Sequence, residues 1–247
     1  MLCQFTVKNF KSIRDEVTFD MQAAAISEHE DRIIIDKDDE KYLPVSAVYG
    51  PNCGGKSNVL AALNTLVAKV LRPLFATEDS EEKVLLQKKI VVEPFAFSES
   101  KDKPTEFEVF FRTDNAEYRY ILHVKRDIVL YESLDRIKLE TGRRSALFSR
   151  DENGIVMKGA FAKLKVIEDL SKTLTLLSYL GIAYEGNAVV KDVLSWFERG
   201  IEFLNYGNPI QELRMAVSTS EDVKQLMLQM IQEMDLDIVD FRVDEKE

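Results

Sequence analysis

Gly50-Pro51-Asn52-Cys53-Gly54-Gly55-Lys56-Ser57 decides the fold. Its spacing, G-x-x-x-x-G-K-S, is that of a phosphate-binding loop. Each residue type has a physical reason to stand where it does. Glycines let the backbone curl until successive N–H groups point inward at phosphate oxygens. Lys56 reaches β- and γ-phosphates in such loops, and the hydroxyl of Ser57 ligates Mg²⁺. A helix that opens at the loop adds its positive N-terminal end. The pattern is short, so its flanks have to agree with it: a strand before and a helix after. Pro44 to Tyr49 is apolar and β-branched, which predicts a buried strand. From Asn58 onward, Val59, Leu60, Leu63, Leu66, Val67, Val70 and Leu71 recur three and four apart. That stripe predicts an amphipathic helix, ended by Pro73.

The 247 residues suffice for one large domain or two small ones. Apolar residues make up 45% and charged ones 31%, the balance of a globular chain. With 33 Lys plus Arg against 43 Asp plus Glu, the net charge is −10, unlike a dedicated nucleic-acid binder. Cys3 and Cys53 form no C-x-x-C pair, so neither a zinc site nor a disulfide framework is suggested. The N-terminus lacks the layout of a signal peptide, and the longest apolar stretch, Leu174 to Tyr184, is too short to span a bilayer. A cytoplasmic protein without a membrane segment is expected.

Along the chain, Cys3, Phe5 and Val7 alternate, as do Val17, Phe19 and Met21 beyond a polar turn at Arg14-Asp15-Glu16. This is a β-hairpin pattern. Ser27 to Lys41 reads as a charged, solvated loop, in which Ile33-Ile34-Ile35-Asp36 only imitates a magnesium-holding strand. Residues 107–111, 118–124 and 128–131 read as an antiparallel meander, with Glu132 a second imitation of a catalytic strand-end acid. His29 and His123 have no partner at ligand spacing. Beyond Arg150 the period lengthens. Helix is expected through Leu164, Val166, Ile167, Leu170, Leu174, Leu177 and Leu180, again over Val189 to Phe197, and over Val223 to Met234 with Leu226, Met227, Met230 and Ile231 inward. Asp237 to Val243 alternates like a strand.

The order of these parts resembles a known group. A hairpin carrying Asn9-Phe10-Lys11-Ser12, then the run from Leu43 through Asn58, an apolar helix, Pro94-Phe95-Ala96-Phe97 and a meander is similar to the ABC/SMC-like AAA ATPases. That group includes the OLD-like and abortive-infection ATPases of bacteria. The resemblance implies an α/β fold: a mixed sheet around the phosphate loop, an antiparallel β-subdomain and a helical insertion. It divides the chain into an ATPase lobe (1–150), the insertion (151–235) and a strand returning to the core (236–247). It implies ATP and Mg²⁺ as cofactors, held by Gly50, Asn52, Cys53, Gly54, Gly55, Lys56, Ser57 and Asn58. In that set Lys56 is the catalytic residue and Ser57 the metal ligand, while Lys11 and Ser12 lie against the nucleotide. Cys53 and Gly54 depart from the group's usual Gly and Ala, and the thiol would make the loop sensitive to oxidation. Neither Gln87 nor Gln211 has the flanks of the group's Mg²⁺-touching glutamine.

The group's signature motif, Asp-Glu strand and switch His are not found in the sequence. The expectation is therefore an N-terminal part of a longer ATPase, which alone binds ATP weakly and hardly turns it over. In the group two heads sandwich ATP, so a homodimer is implied, with an effector nuclease or toxin by analogy with antiphage defence. The alternatives are a nucleotide-sensing interaction module without turnover, or another P-loop NTPase, a kinase or a GTPase. The last would need an Asn-Lys-x-Asp segment, which is not present. Lys83, Lys88, Lys89, Arg143, Arg144, Lys163 and Lys165 are the candidates for a nucleic-acid strip, with a solvated surface as the simpler reading.

Overall fold

In the computed structural model, residues 1–26, 30–52, 54–75, 90–203, 221–233 and 238–241 are described. The chain divides into two units, Met1–Ile201 and Glu202–Glu247. In the first, the expected hairpin forms: Cys3, Phe5 and Val7 are buried on one face of β1 (Leu2–Lys8), which pairs antiparallel with β2 (Val17–Asp20). On the second run, however, Val17 is exposed and Phe19 and Met21 are only half-buried. Two short strands, β3 (Ile34–Ile35) and β4 (Lys41–Tyr42), pair with each other in the charged stretch. That stretch is not wholly solvated as expected. Asp36 and Asp38 turn inward to the buried guanidinium of Arg112, at 3.0 and 2.6 Å, and Glu117 completes the group at 2.8 Å.

The meander is larger than its sequence pattern. It comprises β5 (Thr105–Arg112), β6 (Ala116–Lys125), β7 (Ile128–Lys138), β8 (Arg144–Asp151) and β9 (Gly154–Met157). With the hairpin they form a seven-stranded sheet in the order β2-β1-β5-β6-β7-β8-β9. Every strand pair among the described residues is antiparallel. The expected mixed sheet is therefore corrected. Parallel neighbours need a crossover connection, whereas β5 through β9 are joined by short turns.

The segment from Pro44 to Tyr49 corrects the sequence reading most sharply. It joins no ladder among the described residues, and Val45 and Tyr49 are 77% and 88% exposed. An apolar, β-branched run is only a strand when another strand satisfies its N–H and C=O groups, and periodicity cannot say whether one arrives.

Four α-helices are described. The first, α1 (Lys56–Phe75), buries Ala62, Leu63, Leu66, Val67 and Val70, while Leu60 stays exposed. Pro73 does not end it but lies inside its last turn. Proline has no N–H for the Lys69 carbonyl four residues back. The buried Ser178 hydroxyl donates to the neighbouring Val70 carbonyl at 2.7 Å and lies 3.5 Å from that of Lys69.

The helix expected from Leu164 starts only at α2 (Leu176–Ala183), capped by Thr175, whose side chain accepts from the Ser178 amide. The preceding carbonyls are taken by other groups. Arg150 donates to the carbonyls of Ser171 and Leu174, Lys69 to that of Thr173, and the Val129 amide to that of Lys172. A helix needs those carbonyls for its own amides.

Helix α3 (Ala188–Arg199) agrees with its pattern. Asn187 caps it, and Trp196 stacks on Phe111 of the sheet at 4.2 Å. In the second unit, α4 (Glu221–Glu233) buries Leu228 and leaves Leu226 and Met230 exposed, reversing part of the expected stripe. Of the expected strand over 237–243, residues 238–241 form none, and the rest lies outside the described residues.

Candidate nucleotide site

Two elements converge on the glycine-rich loop. One is the loop with the start of α1. The other is the turn that follows β1. At Gly54 an added Cβ would stand 3.0 Å from the Pro51 carbonyl, the same oxygen that accepts the Gly54 amide at 3.1 Å. Gly55 has φ +87°, left-handed space that side chains rarely enter, and an added Cβ would meet the Ser12 hydroxyl at 3.0 Å. Gly55 therefore requires glycine for its backbone, while at Gly54 a side chain would press on the Pro51 carbonyl. The amides of Lys56 and Ser57 at the start of α1 have no intrahelical acceptor, as at any helix start, while that of Asn58 is bound to the Gly55 carbonyl at 2.9 Å. They are the donors an anion would take.

Lys56 donates to the carbonyls of Gly50 and Pro51, both at 2.7 Å. An ammonium has three N–H groups, so one remains, and the lysine is held folded over the loop. Ser57 is exposed in the first turn of α1, and Asn52 and Gly50 are exposed on the loop. Cys53 lies outside the described residues. The structure brings Ser12 into this group: Asn58 Nδ2 donates to Ser12 Oγ at 2.6 Å. Lys11 is exposed beside it, with its ammonium 5.5 Å from the Phe10 ring centre.

Other sequence candidates fall elsewhere. Glu132 is wholly buried in β7, where its carboxylate accepts from the amides of Leu176 and Leu177 and from the Tyr120 hydroxyl. Arg150 stands 4.0 Å away. Burial pushes its pKa up, with the two amides, the hydroxyl and Arg150 opposing. It is a cap on α2, not a strand-end acid at the loop. Asp36 pairs with Arg112. His123 packs its ring against Tyr131, and burial lowers its pKa. His29, Gln87, Gln211, Lys83, Lys88 and Lys89 lie outside the described residues. Arg143, Arg144, Lys163 and Lys165 are exposed. A cleft of about 740 Å³ between β7, β8, β9 and residues 166–172 includes none of the loop or turn residues.

Sequence reasoning missed Asn9, which is buried under the turn bearing Lys11 and Ser12. It lies in the Asn9-Phe10-Lys11-Ser12 segment that carries the resemblance, where the sequence assigns it no role. Its residue type is a further signal, since asparagine tolerates left-handed backbone better than most.

A glycine-curled loop opening a helix, with a lysine folded over it and a serine in the first turn, on an α/β scaffold, defines a P-loop ATPase domain. The donor set fits a polyphosphate, and such domains hold nucleotide, typically with Mg²⁺. The chain belongs to one family of them: the family model described as "AAA domain, putative AbiEii toxin, Type IV TA system" matches residues 45–205, more than half of the sequence. No curated protein matches it. Among the described residues no helix is long and apolar enough to cross a membrane.

Proposed function

We propose that this chain binds Mg-ATP through Gly50, Asn52, Cys53, Gly54, Gly55, Lys56, Ser57 and Asn58, with Lys11 and Ser12 closing the other side. It would serve as the nucleotide switch of an ABC/SMC-like ATPase. The observation that carries the reading is the meeting of the Ser12 turn with the loop at Gly55 and Asn58. A fortuitous glycine turn has no reason to be met by a second element. Bound there, Mg²⁺ would neutralise phosphate charge, with the Ser57 hydroxyl as its protein ligand. Lys56 would exchange its carbonyl contacts for phosphate oxygens, so that occupancy is sensed as a change in the loop's own bonding.

Turnover by the chain alone should be well below about 1 per second, the low end for kinases. The exposed run from Pro44 to Tyr49 supports this, since the backbone leading into the loop has, among the described residues, no strand neighbours to hold catalytic groups beside it. Nucleotide-driven pairing of two copies, with a toxin or nuclease partner in bacterial defence, belongs to the same proposal, by analogy with the group and with the wording of the family description. Calorimetric titration with Mg-ATP tests the core of the reading. Wild-type should bind, and Lys56→Ala should bind about tenfold to a hundredfold more weakly, the worth of a charge-assisted contact. Equal binding by both would end the proposal.

A further inference from the structure

The turn that reaches the phosphate loop is strained. Asn9 has φ +58° and Lys11 has φ +48°, left-handed values on both sides of Phe10. Asparagine tolerates this conformation, but for lysine it is uncommon and persists only when surroundings enforce it. The enforcing group is Asn9, only 3% exposed at the point where β1 parts from β5 just past the Lys8–Glu106 pair.

Its Nδ2 faces three carbonyls, Ser100 at 2.8 Å and Lys103 and Pro104 each at 3.0 Å. Its Oδ1 accepts the Phe95 amide at 3.0 Å. A carboxamide has two N–H groups, so three acceptors must share them, and its orientation is fixed because the reverse would oppose oxygen to oxygen. The Asn9 carbonyl accepts the Thr105 hydroxyl at 2.6 Å, and the Lys11 amide is bound to the Glu93 carbonyl at 2.9 Å. Phe10 and Ile13 close the turn on each other at 2.7 and 2.8 Å. One buried side chain thus ties the segment from Phe95 to Pro104 to the turn, and the turn delivers Ser12 to Gly55 and Asn58.

We propose that Asn9 is the positioning residue of the nucleotide site: its clamp on the Phe95–Pro104 segment holds the strained turn that presents Lys11 and Ser12 to the bound polyphosphate. This rests on the nucleotide reading above. Asn9 touches no ligand and acts only through the turn. A purely structural asparagine would lower stability and leave affinity alone.

The experiment measures Mg-ATP affinity by calorimetry and melting temperature without nucleotide on the full chain. The variants are Asn9→Gly, which keeps left-handed freedom while deleting the clamp, and Thr105→Val, which loosens the turn from the other side. Each is repeated in a Lys11→Ala/Ser12→Ala background. Asn9→Gly should weaken Mg-ATP about tenfold, within the range of coupled neighbours, and Thr105→Val less in the same direction. In the Lys11→Ala/Ser12→Ala background neither change should weaken binding further, although both should still lower the melting temperature. Should Asn9→Gly fail to fold, Thr105→Val and its combination carry the same comparison. Wild-type affinity in Asn9→Gly, or equal losses in both backgrounds, overturns the positioning role while leaving the nucleotide site standing. No binding by the wild-type chain overturns both.

Discussion

Two helices of this molecule begin in opposite ways. The N-terminus of α2 is buried and already holds an anion: Glu132 accepts from its first two amides, at 2.6 Å from Leu176 and 2.9 Å from Leu177. The N-terminus of α1 has no internal carboxylate in its first turn, and glycines and a lysine surround it. Both ends offer the same unpaired donors and positive dipole. In one the chain supplies the charge from a neighbouring strand, and stability results. In the other the charge has to come from outside, and a binding site results. The difference lies in whether a strand happens to bring a carboxylate.

The largest effect expected from testing this contrast is at the filled end. Glu132→Ala leaves two amides and the Tyr120 hydroxyl without their shared acceptor and removes the nearby counter-charge of Arg150, and should cost about 3 kcal/mol or more in urea unfolding. A loss near that of a surface substitution would erase the distinction. Mg-ATP affinity of whatever folded protein remains should be little changed, since the loop is built from other residues.

A pH series sharpens the comparison at intermediate size. Burial raises the folded-state pKa of Glu132 above its unfolded value. The folded protein therefore holds more protons in that window, and stability falls as pH rises from the ordinary carboxylate range through the raised value. Arg112 holds the carboxyl of Asp38 below its usual range, which works with the opposite sign at lower pH. Subtracting the profile of Glu132→Gln from wild-type isolates the first contribution. A difference that rises with pH in this window would show that the two amides, the Tyr120 hydroxyl and Arg150 outweigh burial, so that the pKa is lowered and not raised. The smallest effect belongs to the open end. Asn58→Ala removes an exposed bond to Ser12 and should change unfolding free energy by no more than about 0.5 kcal/mol.

The sequence by itself determined the phosphate loop, the helix after it, the hairpin, the meander and α3. In each the information is local: glycine spacing, or a period of two or of three to four. Tertiary structure alone decided the rest. Pro44 to Tyr49 has strand composition but no strand beside it among the described residues. The carbonyls from Ser171 to Leu174 went to Arg150 and Lys69, on distant elements, which kept the Leu164 stripe from becoming helix. Glu132 became a cap because β7 passes beneath α2, and Asn9 became a clamp because the chain returns past it nearly a hundred residues later. Periodicity records which face a residue turns inward. It carries no record of which remote backbone group will be waiting there, because a hydrogen-bond partner is chosen by proximity in space.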